Sequence, residues 1–384
     1  HEGFEVEMQA QKERARAART TEKSMGVQTA LLGDIKVAST FVGYEHLESE
    51  SELLVILKDD AIVDMVGEGE ARLIFAETPF YAEMGGQIAD KGIIVDSEGK
   101  IIANVTDVQK APNGQALHTV EVLGSLKEGE KYFLQVNAAY RNKIIKNHTA
   151  THVLHKALKE VLGDHANQAG SLVTDKHLRF DFTHFGQVTA VELKEMEKIV
   201  NQKIWEAIPV VTIETDIDTA KNMGAMALFG EKYGHNVRVV NIGDWSIELC
   251  GGTHVANTED IGLFKIVSES GIGAGVRRIE ALTGKEAYEA FRDEEEQLMQ
   301  VVQIVKSPQI KEVVSKTEQL QQQLRELQKE NEQLATKLAN QQAGDVFKDV
   351  KEINGTTVIT AQVNVKDMNQ LRQLADQWKQ KALS

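Results

Sequence analysis

The sequence predicts a multidomain α+β protein. A small β-barrel comes first, then an α+β domain with helices on an antiparallel sheet, then a long helical or coiled-coil region and a partial α/β tail. Three observations carry this. Short β-rich runs separated by turn residues fill the stretch after Ile35, helix and strand patterns mix after Ala138, and apolar residues recur in steps of three and four beyond Gly284. With 384 residues, 42% of them hydrophobic, about two to four units and at least one sizeable core are expected.

Taken in order, Glu2 to Lys23 is charged and rich in Ala and Arg, and reads as the end of a helix. Strands are expected at Leu53–Lys58, Ala71–Ala76, Gly92–Val95, Ile101–Val108, Leu117–Val122 and Tyr132–Val136. Turn signals such as Asp96 to Gly99 and Pro112-Asn113-Gly114 separate them. Even spacing of many short strands suggests a barrel or sandwich. From Asn147 to Val161 the pattern is helical, with Val153, Leu154, Leu158 and Val161 on one side. Leu178–Thr183 alternates like a strand, Val191–Ala207 like an amphipathic helix, and Val210–Thr215 is strand again. Val237–Ile242 and Trp245–Leu249 read as a hairpin around Gly243-Asp244, and Gly262–Val267 as a further strand.

Beyond Gly284 the chain reads as helix, broken at Ser307-Pro308. Ile310, Val313, Thr317, Leu320, Leu324, Leu327, Asn331, Leu334 and Leu338 then form a heptad seam, with a polar residue at one a position. Two partners suit that seam: the helix before Pro308, or a second chain in a homodimer. Thr356–Val363 reads as strand and Met368–Lys381 as helix, a unit too small to bury a core alone. The expected divisions are therefore 1–28, 29–138, 139–284, 285–342 and 343–384. Since the chain starts at His1 with helical character, it reads as a piece of a longer polypeptide.

The net charge of −15 argues against non-specific affinity for nucleic acid, which draws on clustered Lys and Arg. Local basic groups remain: Arg141, Lys143 and Lys146 precede the helical run, and Arg277-Arg278 follow a glycine-rich turn. A single cysteine excludes an internal disulfide and suits a reducing compartment. No run of apolar residues is long enough to span a membrane and no signal pattern opens the chain, so a cytoplasmic location is expected.

The strongest chemical signal is a pair of motifs, His148-Thr-Ala-Thr-His152 and Cys250-Gly-Gly-Thr-His254. On a helix, residues four apart lie one above the other, so both imidazoles of the first motif can reach one ion. The second follows a strand-like run and turns through two glycines. Nitrogen and sulfur donors together suit zinc, with His148, His152, Cys250 and His254 as the ligand set; His155, one turn beyond His152, is open to either a structural or a supporting place. The first motif lacks the Glu of HExxH, which disfavours a metalloprotease. His46, His118, His165, His177, His184 and His235 have no such pairing and read as structural.

The segments beginning Asn147-HTATHVLHKAL, Gln168-AGSLV, Leu178-RFDF, Cys250-GGTHV and Gly271-IGAGVRRIEALTG resemble the editing domain of bacterial alanyl-tRNA synthetases. Thr78-PFYAEMGGQIADKG resembles the β-barrel that precedes that domain, with Met84 where the family carries a smaller residue. The two metal motifs alone are shared with free-standing alanyl editing proteins and threonyl-tRNA synthetases. The barrel, heptad helix and tail narrow the resemblance. Gly85-Gly86-Gln87 matches a peptide-release tripeptide, yet reads as part of a barrel strand. The Gly271 to Arg277 segment is similar to an ATP-binding motif of class II synthetases, but no partner motifs are found, so no amino-acid activation is expected.

The resemblance implies hydrolysis of tRNA(Ala) mischarged with serine or glycine, with Zn2+ as cofactor and the tRNA acceptor end as partner. Gln168, Thr149, Thr151 and Cys250 become the candidate reactive and recognition residues, and Ser171, Arg277, Arg278, Arg141 and Lys146 the candidate substrate-binding ones. The alternative is a non-catalytic tRNA-binding or dimerisation segment with a structural zinc.

Overall fold

The computed structural model describes residues 31–226, 234–346, 351–363 and 367–382. The expected helix over Glu2 to Lys23, and with it the 1–28 region, lies outside them. The chain divides into two compact units, one extending to Phe291 and the other starting at Arg292.

In the first unit a sheet runs in the order Lys131–Val136, Gly92–Val95, Ile101–Lys110, Ala116–Val122, Gly69–Phe75, Glu48–Lys58, with Ala61–Val63 appended. Lys131–Val136 also pairs with Glu48–Lys58, so six strands close into a barrel and leave no free edge between them. Alternation along these strands sends Leu53, Leu73, Phe75, Ile94 and Leu134 inward, where each is fully buried with Phe80 and Leu126. The expected six strands are all present. Asp59 and Asp60, both at positive φ (47° and 65°), add the tight reversal into Ala61–Val63.

Helix α1 (Ala138–Leu162) follows directly and starts earlier than the apolar pattern suggests, because the Asn137 side chain accepts from Tyr140 N and caps it. Its first turn is joined to the barrel by a buried Arg141, which pairs with Asp90 and donates to the carbonyls of Gly43 (2.7 Å) and Pro79 (2.9 Å). Helix α2 (Ala190–Trp205) opens with a Thr189/Glu192 capping box. Both helices pack on a four-stranded antiparallel sheet ordered Gln168–Val173, Leu178–Thr183, Val276–Thr283, Phe264–Gly273. Val153, Leu154 and Leu158 of α1 meet Met196, Val200 and Ile204 of α2 over Phe180, Phe182 and Ile279. A second, three-stranded sheet holds Val210–Asp216, Asn236–Ile242 and Ser246–Leu249, with the expected reversal at Gly243-Asp244.

One strand expectation in this unit shifts, and two strands were not expected. Gly262, at φ 83°, ends the 3-10 turn Thr258–Ile261, so the strand expected at 262–267 begins at Phe264 and reaches Gly273. Gln168–Val173 and Val276–Thr283 are strands that polar and glycine-rich composition concealed. Among the described residues no helix is long and apolar enough to cross a membrane.

In the second unit a long helix, Val313–Val346, follows a 3-10 turn at Ile310–Glu312. Ile310, the expected first seam residue, thus lies outside the α-helix, entered from an extended Gln309 (φ −148°, ψ 155°). Leu320, Leu324, Leu327, Leu334 and Leu338 stay 40–59% exposed. The strand expected at Thr356–Val363 is instead half of a short hairpin, Lys351–Ile353 with Thr356–Val358, turned by Asn354-Gly355 at φ 52° and 76°. The helix Met368–Ala382 completes the unit.

Candidate metal centre

Helix α1 carries His148 and His152 one turn apart on its buried face. Strand Ser246–Leu249 ends at Cys250, and Gly251-Gly252 turns the chain so that His254 comes back beside it. One donor atom from each of His148, His152, Cys250 and His254 lies within 4.8 Å of all the others. Nε2 of His148 is 3.4 Å and Nε2 of His254 is 3.3 Å from Cys250 Sγ. Gly252 permits this approach, since a Cβ there would stand 2.0 Å from the His148 ring.

The second nitrogen of each imidazole faces a polar neighbour, through a hydrogen bond for His148 and His254 and through an ion-pair contact alone for His152. His148 Nδ1 lies 2.7 Å from Gln87 Oε1, His152 Nδ1 3.0 Å from Glu248 Oε2, and His254 Nδ1 3.1 Å from Thr149 Oγ1. Metal-binding imidazoles are oriented in this way, with one nitrogen held and the other presented. His155 shares Glu248 through its Oε1 at 2.9 Å.

Burial penalises charge throughout the cluster, and neighbours decide the outcome. For Cys250 burial favours the thiol, but His148, His254 and His152 outweigh it and hold the group well below its ordinary range. For His152 burial is again overcome, chiefly by Glu248 and then Cys250, which raise it to about 10. His254 lacks a carboxylate partner, so burial and the nearby His148 push it down to about 3. Glu248 is held well below the usual carboxylate range by His152 and His155, against its burial. A thiolate beside a neutral imidazole is the donor state a metal takes; His152 would release its proton on binding.

A cleft opens onto the cluster, lined by His148, His152 and Cys250 together with Thr151, Gln168, Ser171, Tyr81 and Met84. Gln168 Nε2 stands 3.5 Å from Ser171 Oγ. Thr149 is fully buried behind His254, where its hydroxyl also accepts from Val255 N, rather than in the cleft. The candidate basic residues have protein partners: Arg277 pairs with Glu269, Arg278 forms two bonds to Asp181 (2.7 and 2.9 Å), and Arg141 pairs with Asp90. Lys146 lies half-buried on α1.

Two site residues escaped the sequence reading. Glu248 alternates with apolar residues in its strand, and its place two positions before the sole cysteine was the available signal. Gln87 belongs to the Gly85-Gly86-Gln87 tripeptide, which is a turn rather than part of a barrel strand. Gly86, at φ 84°, lies so close to Ser171 that a Cβ would meet its Oγ at 2.4 Å. Backbone bonds Val173 N to Gly86 O (2.7 Å) and Ile88 N to Val173 O (3.1 Å) fasten this barrel turn to the edge of the four-stranded sheet.

The family model described as tRNA synthetases class II (A) matches residues 1–140. That of the threonyl and alanyl tRNA synthetase second additional domain matches residues 237–280, which include Cys250 and His254. An alanine–tRNA ligase of Enterococcus faecalis is 74% identical over 365 residues, covering 95% of this chain and 42% of the ligase. Alanine–tRNA ligases of Streptococcus gordonii and Streptococcus pneumoniae are each 60% identical over 383 residues, covering 100% of this chain and 44% of theirs. The chain thus spans less than half the length of these relatives, and over that span it belongs to the alanine–tRNA ligase family.

Proposed function

We propose that this chain is the editing part of an alanine–tRNA ligase. It hydrolyses the ester of tRNA(Ala) mischarged with serine or glycine, and zinc sits among His148, His152, Cys250 and His254. The observation that carries the reading is the convergence of four donors, three of which line a cleft, with hydrogen bonds holding His148 and His254 from behind and Glu248 facing His152. When bound, zinc supplies positive charge that orients and polarises the ester or the terminal adenosine. The chain's own residues do the discriminating. Gln168 and Ser171 hydrogen-bond the serine hydroxyl, and with alanine they are left unpaired, which hydrophobic pockets cannot match. Thr151 adds a hydroxyl at the cleft wall, and Thr149 steadies His254. Arg141, Arg277 and Arg278 shape the site through their carboxylate partners, and Lys146 is assigned to the tRNA acceptor end. ATP-dependent aminoacylation is assigned to the remainder of such a ligase, the exposed leucine seam to a homodimer, and the cytoplasm to its location.

One observation favours a second reading, a tRNA-binding segment with purely structural zinc. The four protein donors that converge would fill a tetrahedral zinc shell and leave no open position. Incubation of Ser-tRNA(Ala) and Gly-tRNA(Ala) with the chain, with and without chelator, separates the two. Chelator-sensitive hydrolysis is the expected result; bound zinc with no hydrolysis supports the structural reading.

A further inference from the structure

The side chain of Gln87 is fully buried, and every one of its hydrogen bonds is to the metal-centre motifs. Oε1 accepts from Thr253 N at 2.9 Å and lies 2.7 Å from His148 Nδ1, while Nε2 donates to Thr253 Oγ1 at 2.8 Å. The backbone N–H of Thr253 can only donate, so the carboxamide atom facing it is the oxygen. That oxygen also faces His148 Nδ1, which must therefore carry a proton. The lone pair of His148 is then on Nε2, the atom directed at Cys250 Sγ. One carboxamide thus sets the tautomer of a helix histidine and grips the middle of the Cys250–His254 turn.

We infer that Gln87, contributed by the barrel, is a positioning residue of the metal centre, so that the centre is shared between the barrel turn and the helix-and-sheet region. The inference rests on the metal-centre reading above and adds a residue outside both metal motifs. Its physical basis is the tie between Gly86 and Val173, and the close approaches that glycine allows, of Gly86 to Ser171 and of Gly252 to His148 and Gln87. With Met at position 87 the shape is kept, but Thr253 N–H and His148 Nδ1–H lose their buried acceptor. Glu at this position keeps an acceptor for both.

The test is Zn2+ affinity of the full chain, read by competition with a chromophoric chelator. Gln87→Met is expected to weaken binding roughly 10–100-fold, the usual effect of removing a group that orients a ligand, and Gln87→Glu to stay within a few-fold of wild type. Nitrogen-15 spectra of histidine-labelled, zinc-loaded wild type should show His148 protonated at Nδ1 and bound through Nε2. Wild-type affinity in a folded Gln87→Met variant overturns the inference. If that variant does not fold, a His148 bound through Nδ1 in the wild-type spectrum overturns it instead. A wild-type chain with no affinity for Zn2+ removes the metal-centre reading itself, and the inference with it.

Discussion

Glu248 lies 3.0 Å from His152 Nδ1, a buried carboxylate set against a buried imidazole at the back of the cluster. The carboxylate faces the ring as an ion-pair partner and makes its remaining nitrogen more electron-rich. Glu248→Gln should therefore weaken zinc binding roughly 10–100-fold while the protein stays folded. Cys250→Ala, which removes a donor outright, should abolish chelator-sensitive deacylation. Purified protein is expected to hold about one zinc per chain by elemental analysis; full deacylation by a metal-free preparation would reject the site.

Selectivity should reside at the other end of the cleft. Gln168→His is expected to narrow the ratio of Ser-tRNA(Ala) to Ala-tRNA(Ala) hydrolysis by roughly tenfold or more, with little change in melting temperature, because the hydroxyl-recognising group is replaced. A variant that keeps its discrimination but melts at lower temperature would make Gln168 structural.

The Arg141–Asp90 pair joins α1 to the barrel, with side chains 6% and 0% exposed. Arg141→Met leaves Asp90 without its countercharge and should cost about 3–5 kcal/mol. Urea unfolding measures it. A variant of wild-type stability with a raised KM for mischarged tRNA would instead make Arg141 a substrate contact.

His118 gives the barrel a pH dependence of its own. It is fully buried between Thr78 Oγ1 (2.7 Å) and the Leu73 carbonyl (3.0 Å), and burial lowers it to about 4. At pH above 6.5 it is neutral in both folded and unfolded chains. Between 6.5 and about 4 only the unfolded chain takes the proton, so stability falls with falling pH by about 3 kcal/mol in all. His118→Gln should flatten this component between pH 7.5 and 4.5 in urea titrations; an unchanged slope would reject it.

The leucines of Val313–Val346 remain 40–59% exposed in a single chain. Covering the exposed half of each contributes roughly 0.7–1.5 kcal/mol, and a second copy is the proposed partner. Sedimentation at micromolar concentration should show a dimer that is lost when Leu324 and Leu327 become polar. A monomer with no change in mass would leave the intramolecular hairpin.

Local pattern was enough for the elements and for part of the site. Alternation marked the six barrel strands, the four-residue spacing put His148 and His152 on one helix face, and Gly251-Gly252 announced a turn that could bring Cys250 and His254 together. These are short-range properties of backbone geometry and side-chain period. Partners distant in the chain were not legible in this way. Gln87 reaches His148 and Thr253 because the barrel turn adds to the sheet edge, and Glu248 reaches His152 because its strand lies under α1. The basic residues show the same limit. From sequence, Arg141, Arg277 and Arg278 offer charge to a substrate; in the fold, Asp90, Glu269 and Asp181 face them first. Charge is a property of the residue, but what it meets depends on which strands and helices pack together, and only tertiary structure decides that.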